Sequence, residues 1–185
     1  MKNKTLMLYA FIIMLCFCFA QCKKTNTPDP GEQLPPETHI GAFTFGCKVD
    51  GKIYTAKGKG GLLATQSMYF NLRASDTSIA IGVSNSSSNN SFDLNIRLKY
   101  LGTPNIYFAK SYPYMATFQD NSNGSVPGNS NVYETDSINV GRINIKYLKG
   151  SSSPMEGIAG TFEMDAKNAN GKVIRITEGR FDIGL

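Results

Sequence analysis

The run Phe92-Asp93-Leu94-Asn95-Ile96-Arg97-Leu98-Lys99-Tyr100 alternates apolar and polar residues from end to end. This period of two puts Phe92, Leu94, Ile96, Leu98 and Tyr100 on one face and Asp93, Asn95, Arg97 and Lys99 on the other, as a half-buried β-strand does. Wound as a helix, the same residues would scatter their apolar side chains around every side. One dry face and one wet face favour an antiparallel sheet.

The same period recurs along the chain. Phe43, Phe45, Cys47 and Val49 point one way, and Thr44, Gly46, Lys48 and Asp50 the other. Asp50-Gly51 predicts a tight hairpin, because glycine accepts the positive φ of a primed turn, with Ile53 to Ala56 as the returning strand. Met68 to Ala74 and Ile79 to Val83 form the next pair. Short strands are expected at Ile106 to Ala109, Val132 to Thr135 and Arg142 to Leu148. Gly160 to Ala166 and Val173 to Thr177 are joined by a turn at Asn170-Gly171. Asn85 to Ser91 and Gln119 to Asn131 read as polar loops. Ile174 and Ile176 share a parity that Phe181 and Ile183 do not, so one extra residue is expected near Glu178-Gly179, a bulge with Gly179 taking the unusual backbone angle. No stretch after the leader has a helical period. About ten short strands predict an all-β fold, a single antiparallel β-sandwich or barrel-like domain over residues 41–185.

The other end of the chain carries an address. Lys2 and Lys4 precede an unbroken apolar run from Leu6 to Ala20, followed by Gln21-Cys22-Lys23-Lys24. Basic start, short apolar core and a small residue are the parts of a secretory signal. As a helix the run would span about 22 Å, short of the roughly 30 Å hydrocarbon core of a bilayer. Cys22 stands where a lipoprotein signal places its acylated cysteine, with Ala20 in one of the two small positions. Phe19 and Gln21 depart from that pattern. On this reading residues 1–21 are removed and several acyl chains on Cys22 hold the protein to a membrane, each buried methylene contributing about 0.8 kcal/mol. The alternative is cleavage after Ala20, which leaves Cys22 as a free thiol.

Removal of 21 of the 185 residues leaves 164 and takes the formal charge from +5 to +3, since Lys2 and Lys4 go with the leader. Residues 23–37 hold Pro28, Pro30, Pro35 and Pro36 among polar residues, an extended stretch with a reach of about 45 Å, which predicts a flexible tether over 22–40. The remaining lysines and arginines are scattered, with no basic run, and give no support for nucleic-acid binding.

Two segments carry a resemblance. Leu34-Pro35-Pro36-Glu37-Thr38, leading through Gly41 and Phe45-Gly46-Cys47 to Asp50-Gly51-Lys52, is similar to the opening of a family of small Bacteroidota envelope lipoproteins that is classed as a domain of unknown function. Gly160-Thr161-Phe162, Gly171-Lys172 and Ile176-Thr177-Glu178-Gly179-Arg180-Phe181-Asp182 resemble that family's close. The resemblance implies an all-β domain lipid-anchored to the outer membrane, on its periplasmic or its surface face, and supplies no activity, cofactor or site residue. Asp136-Ser137-Ile138 resembles the short acceptor for O-linked glycans in the same phylum.

Chemistry-bearing residues are sparse. Cys47 lies on the apolar side of its strand and packs as a small hydrophobe. His39 is the sole histidine and lies at the tether's end, outside the core, which argues against a metal cluster and against a serine hydrolase with its well-placed base. No metal and no cofactor is expected. Glu163 and Asp165 share an outer strand face, where paired carboxylates can act on glycosidic bonds or stand simply solvated. Asp120-Asn121-Ser122-Asn123-Gly124 begins like a calcium loop, but its glycine comes one place early and no glutamate closes it. Tyr107, Phe108, Tyr112, Tyr114 and Phe118 cluster around Pro113, and Tyr112, Tyr114 and Phe118 are the candidate ligand surface. The expectation is a non-enzymatic binding or scaffold domain with a glycan or an envelope protein as partner. The alternatives are a barrel holding a small apolar ligand among Phe92, Leu94, Ile96 and Phe70, and a glycan-active enzyme.

Overall fold

The computed structural model describes residues 33–184 except 61–63, 74–76, 88–90, 101, 109–114, 123–130 and 150–156. Eleven strands lie in the described residues: β1 (Thr44–Val49), β2 (Lys52–Lys57), β3 (Gln66–Arg73), β4 (Ser78–Asn85), β5 (Phe92–Lys99), β6 (Asn105–Phe108), β7 (Met115–Asp120), β8 (Val132–Glu134), β9 (Gly141–Lys149), β10 (Gly157–Asn168) and β11 (Val173–Gly184). All the pairings are antiparallel. Nine of the strands run side by side in the order β2-β1-β11-β10-β8-β7-β5-β4-β3, and this sheet curls into a nearly closed barrel. The fold is therefore all-β and barrel-like.

The seam between β2 and β3 is bridged by side chains rather than by a ladder. The Lys57 N–H donates to Gln66 Oε1 at 2.6 Å, and the buried Asn85 donates from Nδ2 to the Thr55 carbonyl at 2.7 Å. Each occupies a backbone group that an open sheet edge would leave unpaired. On the far side the sheet forks at β10. Its first part, Gly157 to Met164, pairs with β9, while Lys167 and Asn168 pair with β8. β9 carries β6 on its other edge, so β6 and β9 form a side sheet off the barrel wall.

The inward faces meet in a core of rings. Phe181, Phe162, Phe45, Phe92 and Phe118 form a chain of contacts with centroids 5.7–6.4 Å apart. Tyr54 meets Phe92 and Phe118 edge-on at 5.5 and 5.3 Å, a favourable quadrupole geometry. Phe92, Leu94 and Ile96 are fully buried and Phe70 packs against them, so the interior position proposed for a small apolar ligand is occupied by side chains. Each such side chain contributes about 1.5–3 kcal/mol by leaving water.

The turns follow the sequence in most places. Asp50 (φ 48°) and Gly51 (φ 86°) make the primed turn between β1 and β2. The β10–β11 hairpin closes with Gly171 at φ 81° and its N–H bonded to the Asn168 carbonyl. The bulge in β11 is where the parity break places it: Thr177 and Glu178 together stand opposite Glu163 alone. Its left-handed residue, however, is Glu178 (φ 52°) and not Gly179. Gly179 is needed for a different reason. A Cβ there would lie 2.5 Å from Phe162 Cε1 and 2.6 Å from the Phe162 carbonyl oxygen, so only a bare backbone lets that ring approach.

Two expectations change. Met115–Asp120 is a strand, β7, with Ala116 and Phe118 inward, where the sequence predicts no strand between Ala109 and Val132. The chain also joins the barrel before Gly41. Residues 34–42 lie as a strap on the outside of β1 and β11, fastened by Asp182. That carboxylate is only 2% exposed and accepts from Thr38 Oγ1 at 2.7 Å, the Ile40 N–H at 3.0 Å and the Gly41 N–H at 2.9 Å. Burial pushes its pKa up, but these donors and the Ala42 N–H outweigh burial and hold it below the usual carboxylate range. Arg180 donates to the Pro35 carbonyl at 3.1 Å, and Lys146 pairs with Glu37. Gly46 leaves room for Pro35, whose Cδ would be 2.5 Å from any Cβ added there.

Candidate functional site

The outer face of β9, β10 and β11, with the short β6 beside it, carries a polar groove. Two adjoining hollows of about 270 and 220 Å³ share Arg142 and Glu163. In the antiparallel register Glu163 stands directly opposite Arg142 and Asp165 directly opposite Arg175, so these outward side chains meet. Arg142 Nη2 lies 2.8 Å from Glu163 Oε1, and Arg175 Nε lies 3.6 Å from Asp165 Oδ1. Arg180 and Lys48 both reach Glu178, at 3.8 and 2.5 Å. Asn144 donates to Asn105 at 2.8 Å across the β6–β9 pair. Tyr107, 68% exposed, stands at the rim. Glu163 and Asp165, the two carboxylates considered for acid–base work, each face an arginine.

The other residues singled out in the sequence are dispersed. Tyr112 and Tyr114 lie outside the described residues, as does Cys22. Phe118 is 1% exposed, packed inside the barrel on Tyr54 and Phe92 rather than on the outer surface. Cys47 is fully buried, and burial pushes its thiol far above the usual range. His39 sits on the strap, its ring 6.1 Å from that of Tyr147. Asp136 is the hub of the turn before β9. Its carboxylate accepts from the N–H groups of Asn139 and Ile138, which hold its pKa well below normal, and Lys167 approaches at 3.1 Å. Ser137 and Ile138 are exposed at the tip of that turn. Among the described residues no cluster of His, Cys, Asp and Glu is suited to a metal ion.

Sequence reasoning missed one polar pair. Tyr54 Oη donates to Asp120 Oδ2 at 3.1 Å, and the Asp120 Oδ1 accepts from the Ser122 N–H and hydroxyl. Burial of Asp120 opposes its ionisation, but Ser122, Tyr54 and the charge of Lys52 overcome it and lower the pKa. Tyr54 moves the other way, raised by its own burial and then by the Asp120 charge. The pair is thus a phenol held protonated against a carboxylate held ionised, which closes one polar gap in the barrel wall. Its members are 66 residues apart, and nothing local in the sequence links them.

No protein-family model, no curated protein and no solved structure matches the chain.

Proposed function

We propose that this chain is a lipoprotein of the bacterial cell envelope, anchored to the outer membrane through acylated Cys22, whose barrel is a binding or scaffold domain rather than a catalyst. The Asp182 clasp is the observation that carries the reading. Fastening the stalk along the wall stabilises the domain and also sets where the stalk leaves it. Here a buried carboxylate takes three hydrogen bonds from residues 38–41, which fixes where the chain from Cys22 departs. An anchored domain uses that to hold one side toward the membrane.

The filled interior supports contact on the outer wall over a ligand held within the barrel, because the rings of Phe45, Phe92 and Phe118 occupy the space such a ligand would need. Pairing of Glu163 with Arg142 and of Asp165 with Arg175 favours binding over acid–base chemistry in the groove. The test is detergent phase partition together with intact mass, for the wild type and Cys22→Ala. The wild type is expected in the detergent phase with the mass of a chain starting at Cys22 plus acyl groups, and the variant in water. Wild type in the aqueous phase without added mass overturns the proposal.

A further inference from the structure

Strand β4 presents to solvent no side chain larger than serine: Ser78, Ala80, Gly82 and Ser84. Its neighbours present long ones. The register sets Tyr69, Gly82 and Asn95 in one row, Asn71, Ala80 and Arg97 in the next, and Arg73, Ser78 and Lys99 in the third. Low centre and tall flanks make a trough along β4, with a hollow of about 310 Å³. Outward residues repeat about every 6.7 Å along each strand, so the trough is long and narrow rather than round.

One end of the trough is a platform. The Tyr69 ring crosses β4 on top of Gly82, so closely that a Cβ at residue 82 would lie 2.1 Å from Tyr69 Cε1. Its hydroxyl reaches Asn95 Oδ1 on β5 at 3.2 Å. The ring is held flat, yet the residue is 53% exposed, so its upper side faces water. The other end is cationic. Arg73, Arg97 and Lys99 have no carboxylate partner among the described residues. The one acidic residue of the β5 outer face, Asp93, lies two positions beyond Asn95 and is taken by Asn121 at 2.8 Å.

We propose that this trough binds an acidic oligosaccharide, with a sugar ring stacked on the open side of Tyr69 and a carboxylate farther along held by Arg73 and Arg97. A fixed aromatic ring fits the C–H face of a pyranose, guanidinium groups match carboxylates two bonds at a time, and the Asn71 amide both donates to and accepts from hydroxyls. A small inorganic anion would use the arginines and leave the ring without purpose. The nine-stranded order sets β4 four strands from β11 through the seam and five the other way, so the trough opens on the side of the barrel away from the strap. The assignment stands whether or not Cys22 is acylated.

The test is calorimetry of the full-length protein in detergent with tetragalacturonate. Its methyl-esterified form, inorganic sulfate and oligothymidylate are the competing probes. Binding of tetragalacturonate is expected, weakened at least about tenfold by esterification, by Arg97→Gln and by Tyr69→Ala. Lys172→Gln, at the exposed β10–β11 hairpin, should leave it unchanged. Arg97 is exposed, so its variant keeps the fold even where Tyr69→Ala loosens β3. Equal binding of the ester, indifference to Arg97→Gln, no binding, or displacement by sulfate or oligothymidylate at the same concentration each overturns the proposal.

Discussion

The barrel's two broad outer faces handle charge in opposite ways. On β9–β11 the basic groups Arg142, Arg175 and Arg180, with Lys48 of the neighbouring β1, each stand by a carboxylate, and the strap covers the adjoining wall. On β3–β5 the cations Arg73, Arg97 and Lys99 have no carboxylate partner among the described residues and stand around a floor of small residues. The β9–β11 face carries register shifts in both of its pairings, and β3–β5 pair without one. A face whose charges are mutually satisfied contributes to holding the molecule together. A face with unsatisfied like charges costs some stability, and that cost is the usual mark of a surface kept for a ligand.

The largest contrast between the faces should come from Asp182. Replacing it by Ala strands the donors of Thr38, Ile40 and Gly41 beneath the strap, and a loss of about 3 kcal/mol is expected in urea unfolding. Replacing Arg73, Arg97 or Lys99 on β3–β5 should cost no more than about 0.5 kcal/mol. The sign with pH follows from the lowered pKa. Its stabilisation is fully present above the unfolded carboxylate value near 4 and is lost as pH falls through the still lower folded value. Urea midpoints measured from pH 7 down to pH 3 should therefore drop for the wild type by more than for Asp182→Asn, and parallel curves would remove the clasp from the account.

Two glycines sharpen the comparison at the next level. Gly179→Ala drives a methyl against the Phe162 ring and its carbonyl oxygen, both held in the core and the β10 backbone, and should cost about 2 kcal/mol. Gly82→Ala meets only the Tyr69 ring, the free end of a surface side chain that can swing into water. Thermal unfolding should show less than about 1 kcal/mol for it. Acidic oligosaccharide binding should still be lost, because the platform has moved. If Gly82→Ala instead unfolds the protein as Gly179→Ala does, the Tyr69 ring is structural and not a platform.

How much of this was legible follows from what each feature depends on. Alternation depends on neighbours in sequence, so β5 and the β11 bulge could be placed from residues 92–100 and 174–183 alone. β7 was missed because only Ala116 and Phe118 turn inward among six residues, close behind Pro113, too few to establish a period. The strap was read as free because prolines and polar residues signal an extended chain, and extended chain is what it is. Its fastening lies in Asp182, about 140 residues away, on a strand position that alternation marks as merely outward. The trough needs the register of three strands before Ser78, Ala80 and Gly82 line up beneath Arg73, Arg97 and Tyr69. No stretch of sequence contains that row.

The finest test asks for a difference in sign. Arg142→Gln removes one half of an exposed pair and should lower stability by a few tenths of a kcal/mol, the usual worth of such a contact. Arg97→Gln removes one of three like charges, two on β5 and one on β3 beyond the intervening β4, that stand about 7–12 Å apart, and should raise stability by a similar amount. Salt separates this from any change in packing. The screening length falls from about 10 Å at 0.1 M to about 3 Å at 1 M, so both effects should shrink toward zero together in urea titrations at high salt. An Arg97→Gln variant that loses stability, and keeps losing it at 1 M salt, would mean that its guanidinium packs against the barrel wall as a structural group, and the β3–β5 face would then differ from β9–β11 in shape but not in electrostatic purpose.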